Sequence, residues 1–278
     1  MPNAQRLPVP LNRILPIAMI INYFAPCAML LSIFAIGFFP SLLHMFHNPK
    51  HLVSLRQWRK SFLDAAQPSL FALSDKLLMG VKLDLLNHAH GVVLEVGAGR
   101  GHTLKYYDLT KVTKVWAIEP DEESIVALKR EIVRIGMEGT CETLQCGIED
   151  VETLRHFGII DETIDTVVCV QSLCSIPKPR ETMSGLYSLI KPAGGQLLLL
   201  EHIASKHFFT RIVQNLYTYL VWPYVTGGCE LNRETGKWCI ETVDRVGDEA
   251  TWTSVEINTI AGGWWNVFPH ISGRLIKT

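Results

Sequence analysis

The sequence predicts an α/β protein: a mostly parallel sheet with helices on both faces, behind an N-terminal apolar segment. Three observations carry this expectation. From residue 91 onward, short apolar runs alternate with helical stretches. The first of those runs ends in a glycine-rich turn, Gly97-Ala98-Gly99-Arg100-Gly101. And residues 14–43 contain 23 apolar side chains out of 30 and no charged residue.

Composition alone hides this division. The 278-residue chain is 48% apolar and 19% charged, and 26 basic side chains nearly balance 27 acidic ones. That profile excludes a disordered chain and a disulfide-rich miniprotein, and the lack of basic excess argues against a nucleic-acid partner. Yet Arg6, Arg13, Lys50, Arg56, Arg59 and Lys60 are the only charges before Asp64, so a basic leader offsets an acidic remainder. The seven cysteines include no CxxC pair, and the spacing predicts buried free thiols in a reducing compartment, with no metal site.

Taken in chain order, residues 1–13 form a short leader and 14–46 a hydrophobic membrane anchor. The apolar run exceeds the roughly 20 residues a helix needs to cross a bilayer and is too long for a signal peptide. Pro26 lies near its middle, so a spanning helix and a hairpin within one leaflet both remain open. Basic residues close behind the run predict that the large C-terminal part faces the cytosol. Residues 47–90 form a basic linker and N-terminal helices, with Phe62–His88 as one or two of them. Residues 91–278 form one α/β domain. Its strands are expected at Val92–Val96, Lys114–Ile118, 141–146, Thr166–Val170, Gln196–Leu200, Thr251–Ile260 and Ser272–Lys277. Residues 121–136 read as a helix whose first turn carries Asp121, Glu122 and Glu123, where acids favour the helix dipole.

The glycine turn fixes the chemistry. A dinucleotide loop runs GxGxxG, with its third glycine placed for packing under a pyrophosphate. Here the spacing is Gly97-x-Gly99-x-Gly101, with Glu95 two residues before it, and Glu119 ends the second strand. This resembles the ExGxGxG loop of class I S-adenosylmethionine (SAM) methyltransferases, which implies a Rossmann-like, seven-stranded, mostly parallel sheet. SAM carries an α-ammonium and a sulfonium, so an acidic lining suits it, and a carboxylate such as Glu119 can accept from both ribose hydroxyls. Three further motifs fall in the order of that fold. Gln145-Cys146-Gly147-Ile148-Glu149 stands where the adenine is lined. Ile164–Ser172, including Gln171, resembles the fourth-strand motif that faces the methyl group. Leu189-Ile190-Lys191-Pro192-Ala193-Gly194-Gly195 resembles the turn before the fifth strand.

The C-terminal third narrows the resemblance. Leu200-Glu201-His202-Ile203-Ala204, Gly227–Thr235 and Pro269–Gly273 are similar to the membrane-anchored methyltransferase-like 7 family of alkyl-thiol S-methyltransferases. So are the apolar start and Ser172-Leu173-Cys174-Ser175. The chain departs from that family at Ala98 and Arg100, where cysteine and threonine are more usual, and in a longer connection at 153–164. Arg100, bulky and positive, is expected to turn away from a cationic cofactor. The resemblance implies SAM as cofactor, a small lipophilic acceptor, and a location at the endoplasmic reticulum or lipid droplets. Thiol sulfur is the preferred acceptor atom, with oxygen or carbon of a quinone, lipid or secondary metabolite as the alternative, and a non-catalytic SAM-binding membrane scaffold as the alternative of a different class. It implies a cofactor set of Glu95, Gly97, Gly99, Gly101, Glu119, Gly147, Ile148, Glu149 and Gln171, with His202 as a candidate catalytic residue. Asp165, at the start of its strand, is expected to lie away from the chemistry. The aromatic stretch Phe208–Val225 is read as a lid over the acceptor pocket or as a membrane contact.

Overall fold

The structure, a computed structural model, describes residues 11–47, 54–242, 252–260 and 265–278. The leader before Leu11, with Arg6, lies outside them, as do Lys50, Thr251 and part of the 261–270 turn.

Two long helices come first, α1 (Leu11–His47) and α2 (Leu55–Leu86). The α1 helix continues through Pro26 and Pro40, so the hairpin alternative is not what this chain adopts. A proline costs one main-chain hydrogen bond and tilts the axis without having to end the helix. Helix α1 runs back along α2, where Gly37 leaves room for the Phe62 ring and Phe34 packs on the same ring at 5.6 Å. The second element is a single helix, capped by Ser54, whose hydroxyl accepts from the Gln57 amide.

The seven predicted strands form one sheet: β1 (Gly91–Val96), β2 (Val112–Ile118), β3 (Cys141–Leu144), β4 (Thr166–Val170), β5 (Gln196–His202), β6 (Trp252–Ile260) and β7 (His270–Lys277). Their order is β3-β2-β1-β4-β5-β7-β6, with the first five parallel and β7 antiparallel to both neighbours. The central strands are buried on both faces, as their unbroken apolar sequences require: all seven residues of β5 are buried. Helices α3 (Glu122–Ile135), α4 (Val151–His156), α5 (Pro179–Leu189), α6 (Phe208–Leu220), α7 (Trp222–Val225) and α8 (Thr235–Ile240) complete the layers. One core, with Leu94, Val167, Leu186 and Leu197, fills one face; a second, with Leu86, Val93, Leu128 and Leu198, fills the other.

Strand order reverses between β1 and β4. In such sheets the crevice beyond the carboxyl ends at the reversal is where ligands bind. The opposite end is closed: Asp165 accepts the Val92 amide (2.8 Å) and the Lys191 ammonium (2.8 Å), a structural role consistent with its place at the start of β4.

Candidate active site

A cavity of about 530 Å³ opens at that reversal point. Its floor is the loop after β1. Gly97, Gly99 and Gly101 all have positive φ (69°, 55° and 84°), a region L side chains enter only at a cost. A Cβ on Gly97 would stand 2.8 Å from the Ser172 Cβ, and one on Gly101 2.8 Å from Leu128, whereas at Gly99 the space is open. The first and third glycines therefore allow close packing, and the second leaves room for a ligand.

Glu119 follows β2 and joins this floor. Its Oε2 accepts from the Gly99 amide (2.8 Å) and its Oε1 from the Asp121 amide (3.0 Å). Each oxygen keeps a further lone pair. Burial pushes the carboxyl pKa up, against the pull of those two amides. Beyond β3, Cys146, Gly147, Ile148 and Glu149 border the cavity. Glu149 folds its carboxylate over Gly147, where a Cβ would collide with it.

Glu95 borders the cavity too, but its carboxylate is turned inward. It accepts from the Thr103 and Tyr107 hydroxyls, and burial raises its pKa. It holds the glycine loop from behind. Arg100, expected to point away, is half-buried and borders the cavity. Gln171, at the end of β4, has φ of +54°, uncommon outside glycine. The Ser74 hydroxyl of α2 donates to its Oε1 (2.8 Å), and its Nε2 lies 3.5 Å from His270.

The roof was missed at the sequence level. Lys60, Leu63, Asp64 and Phe71 of α2 border the cavity, whereas the sequence reads this stretch as a basic linker and N-terminal helices. Burial, then Glu123 beside it, raises the Asp64 carboxyl from 3.8 to about 6. His102 stands next to the glycine loop with a buried Nε2 that has no hydrogen-bond partner, and burial lowers its pKa.

His202 is not on the cavity wall. It is buried at the end of β5, with Nε2 3.1 Å from the Glu230 carbonyl and 3.4 Å from the Cys229 Sγ. The Trp222 indole N–H donates to the same sulfur at 3.3 Å. Cys174, Ser172 and Leu173 form the turn after β4, where Glu201 Oε1 accepts the amides of Ser172 (2.8 Å) and Leu173 (2.9 Å). Nor does the aromatic stretch line this cavity. Phe208, Phe209, Ile212, Leu216 and Tyr219 point outward from α6, and only Thr226 and Gly227, just beyond α7, reach the cavity.

The pocket fits SAM by its own chemistry. It offers a carboxylate with spare lone pairs beside a glycine whose Cβ position is open. Fold and pocket together define a class I SAM-dependent methyltransferase.

Residues 43–244 match the family model described as "Methyltransferase domain", and the chain belongs to that family. It is similar to thiol S-methyltransferase TMT1B of Rattus norvegicus, 25% identical over 253 residues, covering 82% of this chain and 93% of the relative. The Homo sapiens protein of the same name is 24% identical over 241 residues, with the same coverage. Among solved structures, a geranyl diphosphate methyltransferase in complex with SAM superposes with a TM-score of 0.51 at 10% identity. That match covers 80% of this chain and 90% of the other. At so low an identity this match speaks for the fold alone.

Proposed function

We propose that the chain is a membrane-anchored methyltransferase that moves the SAM methyl group to a small lipophilic acceptor, with thiol sulfur preferred. The observation that carries this reading is the position of α2. One stretch of this helix roofs the cofactor cavity with Lys60, Leu63, Asp64 and Phe71, while Phe62 packs on the apolar helix α1. Residues Ile20–Leu43 of α1 are long and apolar enough to cross a bilayer, and few of them are buried. Tyr23 and Cys27 of α1 meet Thr210 and Tyr217 of α6 at 3.2 and 2.9 Å, so the outward face of α6 continues the apolar surface of α1. We read that combined surface as the membrane face. The active site then stands beside the phase in which greasy acceptors dissolve, with the basic side and the catalytic domain toward the cytosol.

In this reading the backbone of Gly97, Gly99 and Gly101 and the carboxylate of Glu119 hold SAM, with Glu119 accepting from the ribose hydroxyls. Gly147, Ile148 and Glu149 line the adenine, and Gln171, fixed by Ser74, stands at the transfer end. Glu95 acts through the loop it braces. SAM supplies a sulfonium-borne methyl group for in-line attack by the acceptor. A thiol with a pKa of about 8.5 is partly ionised near neutrality, so the protein's task is mainly to orient and dehydrate the pair. His202, off the cavity wall, is a positioning residue in this scheme. Similarity to thiol S-methyltransferases over most of both chains supports sulfur as the acceptor atom.

The test is incubation of the detergent-solubilised protein with labelled SAM and a panel of lipophilic thiols and phenols. Thioether products are expected. Transfer to hydroxyls alone would remove the sulfur assignment, and no transfer to any acceptor would remove the proposed activity.

A further inference from the structure

Three soft donors converge behind the cavity wall. Cys174 follows β4, His202 ends β5 and Cys229 follows α7, and one donor atom of each lies within 4.8 Å of the other two. Nothing in their local spacing announces this, because each comes from a different segment. From this geometry we propose that Cys174, His202 and Cys229 bind one zinc ion.

The distances suit that ion. Zn–S bonds of about 2.3 Å and Zn–N bonds of about 2.0 Å in a tetrahedron place N and S about 3.5 Å apart, and two sulfurs about 3.8 Å apart. The His202 Nε2 to Cys229 Sγ separation is 3.4 Å. Cys174 and His202 are buried and Cys229 is half-buried, so hydrated hard cations are poorly served while thiolate and imidazole favour zinc.

Each donor-bearing segment is braced independently of the ion. The Glu201 carboxylate holds the amides of Ser172 and Leu173, next to Cys174. The Arg233 guanidinium donates to the carbonyls of Leu173 (2.6 Å) and Ile176 (2.7 Å), and through Nε to the Glu230 carboxylate (3.1 Å). It therefore fastens the turn carrying Cys174 to the one carrying Cys229. The Trp222 indole orients Cys229 from the far side. Such outer hydrogen bonds are what a metal site needs to keep its ligands aimed.

Binding would release the two thiol protons to solvent, and His202 would exchange the contact of its Nε2 with the Glu230 carbonyl for the metal, with its ring proton carried on Nδ1. Three protein ligands leave a fourth position for water or an external thiolate. Ser175 and Gly227, beside Cys174 and Cys229, border the cofactor cavity. The ion would thus pin the two loops that form that part of the wall. The inference does not depend on the acceptor being a thiol.

The test uses the full chain purified in detergent. Metal analysis is expected to find close to one zinc per chain, and Cys229→Ser to lower that content at least tenfold. Cys27→Ser, in α1, is expected to leave it unchanged. Replacing zinc with Co²⁺ is expected to give sulfur-to-cobalt charge transfer in the near ultraviolet and the visible bands of a tetrahedral site. The wild-type cobalt spectrum decides the matter even if the serine variant fails to fold. Protein that purifies without metal and gives no charge-transfer band with Co²⁺ would overturn the proposal. So would a Cys174–Cys229 disulfide in place of the metal.

Discussion

At the carboxyl edge of the sheet, the β1–β2–β3 side and the β4–β5 side are built differently. On the first, most groups facing the cavity are backbone or lie close in sequence to the strand that presents them: three glycines after β1, Glu119 after β2, Gly147 after β3. On the second, side chains gather from distant segments: Ser74 of α2 against Gln171, and Cys174, His202 and Cys229 around one point. A cofactor common to many enzymes can be held by a local backbone device. Whatever adapts the site to its acceptor and its surroundings is assembled by tertiary packing.

The largest effect is expected at Gly97, where both features of the first side coincide. Gly97→Ala places a Cβ 2.8 Å from the Ser172 Cβ at a φ of +69°. Left-handed backbone alone costs an alanine roughly 1–2 kcal/mol, and the clash adds to it. Stability is expected to fall by about 2–4 kcal/mol in denaturant unfolding, and SAM affinity by about a hundredfold. A variant that unfolds like the wild type and binds SAM equally well would show that the loop is not packed as described.

A somewhat smaller effect tests the second side, from which α6 projects. Once residues 1–46 are deleted, the chain is expected to leave carbonate-washed membranes. Its residual binding to lipid vesicles is then expected to weaken about tenfold or more on replacing both Phe208 and Phe209 with serine, since each exposed ring offers about 2 kcal/mol of burial. Cosedimentation measures this. Unchanged binding would mean that α6 faces water.

The smallest effect concerns Asp64, on the roof beside α3. Its carboxyl is raised from 3.8 to about 6, chiefly by burial, so the folded state holds the proton more tightly than the unfolded chain does. The sign follows: this group costs stability progressively as pH rises from near 4 through 6, and the cost persists above that. The wild-type melting temperature is expected to carry this downward component, and Asp64→Asn to remove it, flattening the profile by a degree or two. Identical pH profiles for the two proteins would place Asp64 in water.

The same contrast explains what could be read from the sequence. The strands and the glycine loop were accessible because the central parallel strands are short apolar runs, the antiparallel β6 and β7 flank a Gly-rich turn, and the glycines after β1 mark its turn into the helical layer. Glu119 followed from its place at a strand end. The roof was not accessible, because Lys60, Asp64 and Phe71 belong to a helix whose docking depends on tertiary pairs such as Asp75 with Lys105 and Tyr106. His202 looked catalytic because it follows a strand at the correct edge. Its side chain instead packs between Cys229 and the His270 ring, which strand position alone does not determine. The aromatics of α6 suggested a lid because apolar side chains usually seek cover; these find it against α1 or remain on the outer surface.

Calorimetric titration of SAM into three forms of the protein puts the division between the two sides to the test. Glu119→Ala is expected to lose at least tenfold in affinity, since the hydrogen bonds proposed between this carboxylate and the ribose would disappear. His202→Gln is expected to lose less affinity than Glu119→Ala, since it reaches the cavity only through the turns that carry Ser175 and Gly227. Full affinity in Glu119→Ala, or a loss confined to His202→Gln, would contradict the assignment of the β1–β2 side to the cofactor.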